Sequence, residues 1–139
     1  FTPGDHGSTF GGNPLAAAVG LAALQTLESE HLAERAQREG AHLMASLRAL
    51  RHPAITDIRG KGLLVGVQID PAFASARAVC EALMDEGVLT KDTHHTVVRL
   101  APPLVIERAQ VDLAVAALGR VLARLGQRAA KPAAEPALH

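Results

Sequence analysis

The sequence predicts an α+β fold, a small, mostly antiparallel four-stranded sheet with helices packed on one face. Three observations carry that expectation. Leu63, Val65, Val67 and Ile69 alternate with Leu64, Gly66 and Gln68, the two-residue period of a strand. Longer segments on both sides repeat apolar residues every three to four positions, the period of helices. The resulting order, two helices, two strands, a helix, two strands and a last helix, suits a single helix-covered sheet. At 139 residues the chain has room for one domain with a real core but not for two.

The opening, Phe1 to Asn13, carries Gly4, Gly7, Gly11 and Gly12 and reads as a loop. Asn13-Pro14 ends it as an N-cap followed by proline at the first helical position. The first helix then runs from Leu15 to about Ser29. Leu15, Val19, Ala22 and Ala23 mark one face, but Leu21, Leu24 and Leu27 cover much of the rest, so it needs partners on more than one side. A second helix, from about His31 to Leu50, is amphipathic. Leu32, Ala36, Leu43, Leu47 and Leu50 form its apolar stripe, with Glu34, Arg38, Glu39 and Arg48 facing water. His52-Pro53 stops it.

Ile55 to Arg59 forms a short strand, Gly60-Lys61-Gly62 a turn, and Leu63 to Ile69 the second strand of an antiparallel pair. Phe73 to Glu86 returns to helical spacing, with Ala76, Val79, Ala82 and Leu83 inward and Gly87 as the stop. Val88 to Thr90 and Thr96 to Ala101 are read as two further strands with a polar loop, Lys91 to His95, between them. Pro102-Pro103 forces an extended exit. The last helix spans about Glu107 to Gln127 on a stripe of Val111, Ala114, Leu118, Val121, Leu122 and Leu125. From 128 to 139 the composition turns to Ala, Pro and Glu and reads as a disordered tail.

Composition excludes several functions. Fourteen basic and fourteen acidic residues cancel, which argues against a nucleic-acid partner. No apolar run approaches the roughly 20 residues that span a bilayer, and no signal peptide opens the chain, so a cytoplasmic protein is expected. A single cysteine, Cys80, rules out an internal disulfide and a multi-cysteine metal site, and it reads as a small buried hydrophobe. Because the chain starts at Phe1 inside a loop, it is expected to be a piece of a longer protein, with processing or trimming as the plainer alternative.

Few residues are placed to carry chemistry. His6 to Pro14 combines glycines, the hydroxyls of Ser8 and Thr9 and a helix N-terminus, the parts of a phosphate site. It matches neither of the common nucleotide-binding glycine motifs, and on the residues alone a plain glycine loop before a capped helix is the favoured reading. Arg99 lies in an apolar strand before the double proline. Burying a guanidinium there requires an anion, either a neighbouring carboxylate in a salt bridge or a ligand carboxylate gripped by the fork. His94-His95 lack supporting ligands and read as loop histidines; no metal site is expected. Lys61, Lys91 and Lys131 are the only lysines, and Lys61 and Lys91 read as solvated. Asp85-Glu86 reads as part of a polar helix face.

These residues resemble a known pattern. Pro3-Gly4-Asp5-His6-Gly7-Ser8-Thr9-Phe10-Gly11-Gly12-Asn13-Pro14-Leu15 is similar to the H-G-[ST]-T-[YF]-G-G-N-P segment of class III aminotransferases, which depend on pyridoxal 5'-phosphate. Arg59-Gly60-Lys61-Gly62-Leu63-Leu64 resembles their R-G-x-G-L turn, and Val98 to Ile106 their arginine strand before the last helix. The three blocks follow the family's order and reach almost to Gln127. Lys61 between its glycines, Lys91 followed by Thr93-His94, and Ala101 to Ile106 resemble the branch using ornithine as donor. Acetylornithine and 4-aminobutyrate remain alternative donors. Phe10 stands where tyrosine is commoner, and Asp92 where proline is.

The resemblance implies the C-terminal small domain of a fold-type I enzyme, over residues 30–127, preceded at 1–29 by the end of the large domain. It implies that Ser8 and Thr9 reach the cofactor phosphate of a neighbouring subunit in a homodimer. It implies that Arg99 holds the carboxylate of the 2-oxo acid, with a small-molecule amino donor as the other substrate. The family's Schiff-base lysine lies upstream of the glycine segment, and none of the three lysines here matches its motif. The chain by itself is therefore expected to carry no catalytic residue and to be inactive. A non-catalytic interaction module from a split gene is the alternative from another class.

Overall fold

In a computed structural model, residues 2–130 are described, with side chains to Gln127. Helix α1 spans Pro14–Ser29 and α2 Leu32–Ala49. Strands β1, Ile55–Lys61, and β2, Leu64–Ile69, follow, then α3, Ala76–Asp85. Strands β3, Lys91–Thr93, and β4, Val97–Leu100, lead to α4, Arg108–Ala130. All four strands belong to one sheet in the order β1-β2-β4-β3, and every neighbouring pair is antiparallel.

Alternation in β2 decides which face is the core. Val65, Val67 and Ile69 point to one side, where Val98 of β4 joins them, and all four are at most 1% exposed. Helices α2, α3 and α4 close over that side with Leu43, Leu47, Val79, Leu83, Leu118 and Leu122. Each such side chain contributes about 1.5–3 kcal/mol on burial, so this layer dominates the stability of the domain. The expected α+β class, the four strands and the one-sided helices are all present.

Local chemistry explains the helix starts. Asn13 Oδ1 accepts the Ala16 N–H at 2.9 Å with Pro14 in the first turn of α1. Ser75 Oγ does the same for Ala78 N–H at 3.2 Å on α3, which therefore begins at Ala76 instead of Phe73. Phe73 falls in a turn closed by Asp70, whose Oδ1 accepts the Ala72 N–H at 2.8 Å. Gly87 ends the α3 region with φ +81°.

Four expectations need correction. The third strand is Lys91–Thr93, not Val88–Thr90: Val88 N–H is still bonded to the Leu83 carbonyl at the exit of α3, and Leu89 is exposed. The β1–β2 turn falls at Gly62-Leu63, since Gly60 and Lys61 remain paired with Val65 and Leu64. Glu39 is buried, not water-facing, because Arg108 at the start of α4 arrives over it. Helix α4 continues through Ala130, past the expected end at Gln127; the remainder of the expected tail, 131–139, lies outside the described residues.

Helix α1 stands apart from this core. None of its residues is buried, and Leu15, Val19, Leu21 and Leu24 are 58–75% exposed although the helix touches α2. Among the described residues no helix is long and apolar enough to cross a membrane.

Candidate functional site

The glycine loop is organised by its own side chains. Ser8 Oγ accepts the Gly11 N–H at 2.9 Å, and Asn13 Nδ2 donates to the Phe10 carbonyl at 2.7 Å while its Oδ1 caps α1. Thr2 N–H donates to Asp5 Oδ2 at 2.7 Å, and that bond holds the Asp5 carboxyl below the ordinary carboxylate range. Ser8 and Thr9 are exposed. The Ser8 hydroxyl, used as an acceptor within the loop, keeps its own proton to donate outward. The result is a pair of hydroxyl donors beside a helix N-terminus, exposed to solvent.

That donor set would suit the phosphate of pyridoxal 5'-phosphate, whose oxyanion acceptors would meet O–H donors and the positive end of α1. A lysine to hold the cofactor covalently is a different matter. Lys61 ends β1 and Lys91 opens β3, both in the sheet, and Lys131 lies outside the described residues. The loop thus fits the phosphate end of the cofactor, and its own segment brings no amine.

Arg99 occupies β4 on the sheet face opposite the helices. Its register partners are Gly66 on β2 and Lys91 on β3, and Arg59 on β1 is the next partner beyond Gly66. Cross-strand partners point to the same face, so Arg59, Arg99 and Lys91 stand in one row, interrupted at Gly66, beside whose backbone Val97 packs closely. Arg59 is neutralised by Asp57, with Nη1 to Oδ2 at 2.7 Å, and both its Nη atoms reach Gln68 Oε1 at 3.4 Å. Arg99 is exposed, and its guanidinium has no hydrogen bond or ion pair with any described residue. The salt bridge considered for Arg99 from sequence is thereby absent among the described residues, and its fork is open.

Ser8 and Thr9 on one side and Arg99 on the other are not joined by any hydrogen bond or ion pair. Lys61 is exposed, and Cys80 is buried, with burial pushing its thiol pKa up. His94 and His95 form the β3–β4 turn, both with positive φ, and no metal-binding cluster exists among the described residues.

Sequence reasoning missed two features. Arg35 on α2 donates from Nη2 to the carbonyls of Val105 at 2.6 Å and Ile106 at 3.1 Å, anchoring the segment that follows the double proline. Lys91 is not a loop residue but the direct neighbour of Arg99. The near-symmetric placement of Lys91-Asp92-Thr93 and Val97-Val98-Arg99 about His94-Thr96 was the available signal. Asp85 stays exposed, but Glu86 ties α3 to α4: Arg120 Nε donates to Oε2 and Arg124 Nη1 to Oε1, both at 3.0 Å.

The family model described as aminotransferase class-III matches residues 1–122. Among curated proteins, the ornithine aminotransferase of Exiguobacterium sp. is 52% identical over 123 residues, 88% of this chain and 30% of that protein. The ornithine aminotransferase of Bordetella pertussis is 50% identical over the same shares. Among solved structures, the ornithine aminotransferase of Toxoplasma gondii superposes with a TM-score of 0.82 at 40% identity, covering 94% of this chain and 32% of that one. The acetylornithine aminotransferase of Elizabethkingia anophelis gives 0.77 at 42% identity, covering 89% and 33%. The chain therefore spans 30% of the length of the curated relatives it matches.

Proposed function

The chain belongs to the class-III aminotransferases, and from that membership we propose that it forms the C-terminal part of an ornithine aminotransferase. The reaction moves the terminal amino group of ornithine to 2-oxoglutarate, giving glutamate semialdehyde and glutamate. When bound, pyridoxal 5'-phosphate supplies the carbonyl group and electron sink that carry the amino group between donor and acceptor.

The observation that carries the reading is Arg99, an open guanidinium with no side-chain partner among the described residues, on a strand whose neighbours resemble the family's arginine block. A planar fork of this kind accepts a carboxylate through two parallel bonds, fixing both the position and the rotation of the 2-oxo acid. Ser8 and Thr9 donate to the cofactor phosphate of a neighbouring subunit in a homodimer. Their outward exposure and the uncovered apolar surface of α1 support that placement.

In this reading residues 1–29 close the large domain and 30–127 form the small one, which agrees with a core confined to α2 onwards. The cytoplasm is its setting, in keeping with a free, buried thiol at Cys80. The lysine that binds the cofactor belongs to the upstream polypeptide.

The test is complementation. The chain alone is expected to form no glutamate semialdehyde from ornithine and 2-oxoglutarate, and addition of the upstream polypeptide is expected to restore it. Product from the chain alone, or a stable monomer indifferent to that polypeptide, would replace this reading with a self-sufficient or non-catalytic one. The similarity to an acetylornithine aminotransferase supports a second donor, and the complemented enzyme decides by its preference between ornithine and acetylornithine.

A further inference from the structure

The row Arg59, Gly66, Arg99, Lys91 crosses all four strands on the open face of the sheet. Like charges directly opposite one another on neighbouring strands repel, and Lys91 and Arg99 are such a pair. Their anionic surroundings do not resolve the conflict. Asp57 is taken by Arg59. Asp92 is the register partner of Val98, whose side chain enters the core, so its carboxylate belongs to the opposite face; it meets Lys91 Nζ only at 3.7 Å around the sheet edge. An exposed pair at that length contributes little. Gly66, lacking a side chain, brings no carboxylate to the other flank of Arg99, where Val97 packs close to the Gly66 backbone.

We propose that Lys91 is a second cation of the acceptor site, its ammonium joining the Arg99 guanidinium in holding an anionic group of the incoming 2-oxo acid. This rests on the assignment of Arg99 to the acceptor carboxylate. The two groups divide the work by their chemistry. The guanidinium fixes orientation through its planar fork, and the mobile ammonium adds a point charge that reaches either the same carboxylate or a second one on the acceptor. A dicarboxylic 2-oxo acid therefore gains more from Lys91 than a monocarboxylic one. Arg59 takes no part, because Asp57 and Gln68 already hold it.

The experiment uses the complete, cofactor-loaded aminotransferase with 2-oxoglutarate and pyruvate as acceptors. Lys91→Met is expected to raise KM for 2-oxoglutarate about three- to tenfold, the scale of one exposed charge-assisted contact. The rise should exceed that for pyruvate and for the donor, the salt dependence of KM should weaken, and Lys91→Arg should recover most of the loss. An unchanged KM in Lys91→Met, with a raised KM in Arg99→Ala, overturns the role of Lys91 and leaves the acceptor reading standing. An unchanged KM in both overturns the reading beneath it. A fall in kcat with a lowered Tm, equal for all substrates, overturns the proposal by making Lys91 structural.

Discussion

Gly40 of α2 lies directly against Gly62 in the β1–β2 turn, so close that a Cβ on Gly40 would overlap the Gly62 carbonyl oxygen and carbon. The helix backbone therefore rests on the turn backbone, and this contact fixes how closely α2 approaches the β1–β2 pair. Gly62 itself has φ +56°, which suits the turn to glycine.

Gly40→Ala should therefore destabilise the domain, although alanine normally favours a helix. The clash is with backbone, which cannot swing aside, and overpacking of this kind costs about 1–3 kcal/mol. Urea unfolding followed by circular dichroism reads it as a lower midpoint with an unchanged slope. An unchanged midpoint would show that α2 can lift off the turn freely.

Two carboxylates make stability depend on acid. A hydrogen bond from Arg38 holds the Glu39 pKa below the ordinary glutamate value, opposed by its burial and assisted by Arg108. Arg120, then Arg124, do the same for Glu86, against a smaller desolvation effect. A folded pKa lower than the unfolded one means that the contribution is complete above the unfolded value. It is lost as pH falls through the folded one. Stability measured by urea titration should thus decline from the ordinary glutamate range downward. Glu39→Gln should be less stable than the parent at pH 7 and show a shallower decline. A decline identical to the parent's would remove Glu39 from the acid response.

Arg99→Ala in the complete enzyme should affect the oxo-acid half-reaction most. A lost charge-assisted pair corresponds to about 1.5–3 kcal/mol, or roughly 10- to 150-fold in kcat/KM for the acceptor. Single-turnover kinetics with each substrate separates the half-reactions. Equal losses with every donor and acceptor would argue against a carboxylate role.

Thr9→Ala should weaken retention of pyridoxal 5'-phosphate, since an outward hydroxyl donor to the phosphate is lost. Dialysis followed by cofactor absorbance measures it. Retention equal to the parent enzyme would sink the phosphate assignment, and the same variant should leave domain stability nearly unchanged because the side chain is exposed.

Much of this protein follows from local sequence. Asn13-Pro14 and Gly87 mark helix ends through backbone geometry that depends on a few neighbouring residues. Val65, Val67 and Ile69 identify the core face of β2 by a period that no distant contact can alter. Ser8, Thr9 and Arg99 were recognisable as donors from their glycine loop and apolar strand. Tertiary structure alone decided what depends on chain segments meeting from afar. Glu39 has the spacing of a water-facing residue, and it is buried because Arg108, 69 positions later, closes over it. Lys91 has the look of a solvated loop lysine, and it stands beside Arg99 because the turn at His94–Thr96 sets the β3–β4 register. Periodicity encodes which way a side chain points from its own element, whereas the charge that faces it is a property of packing.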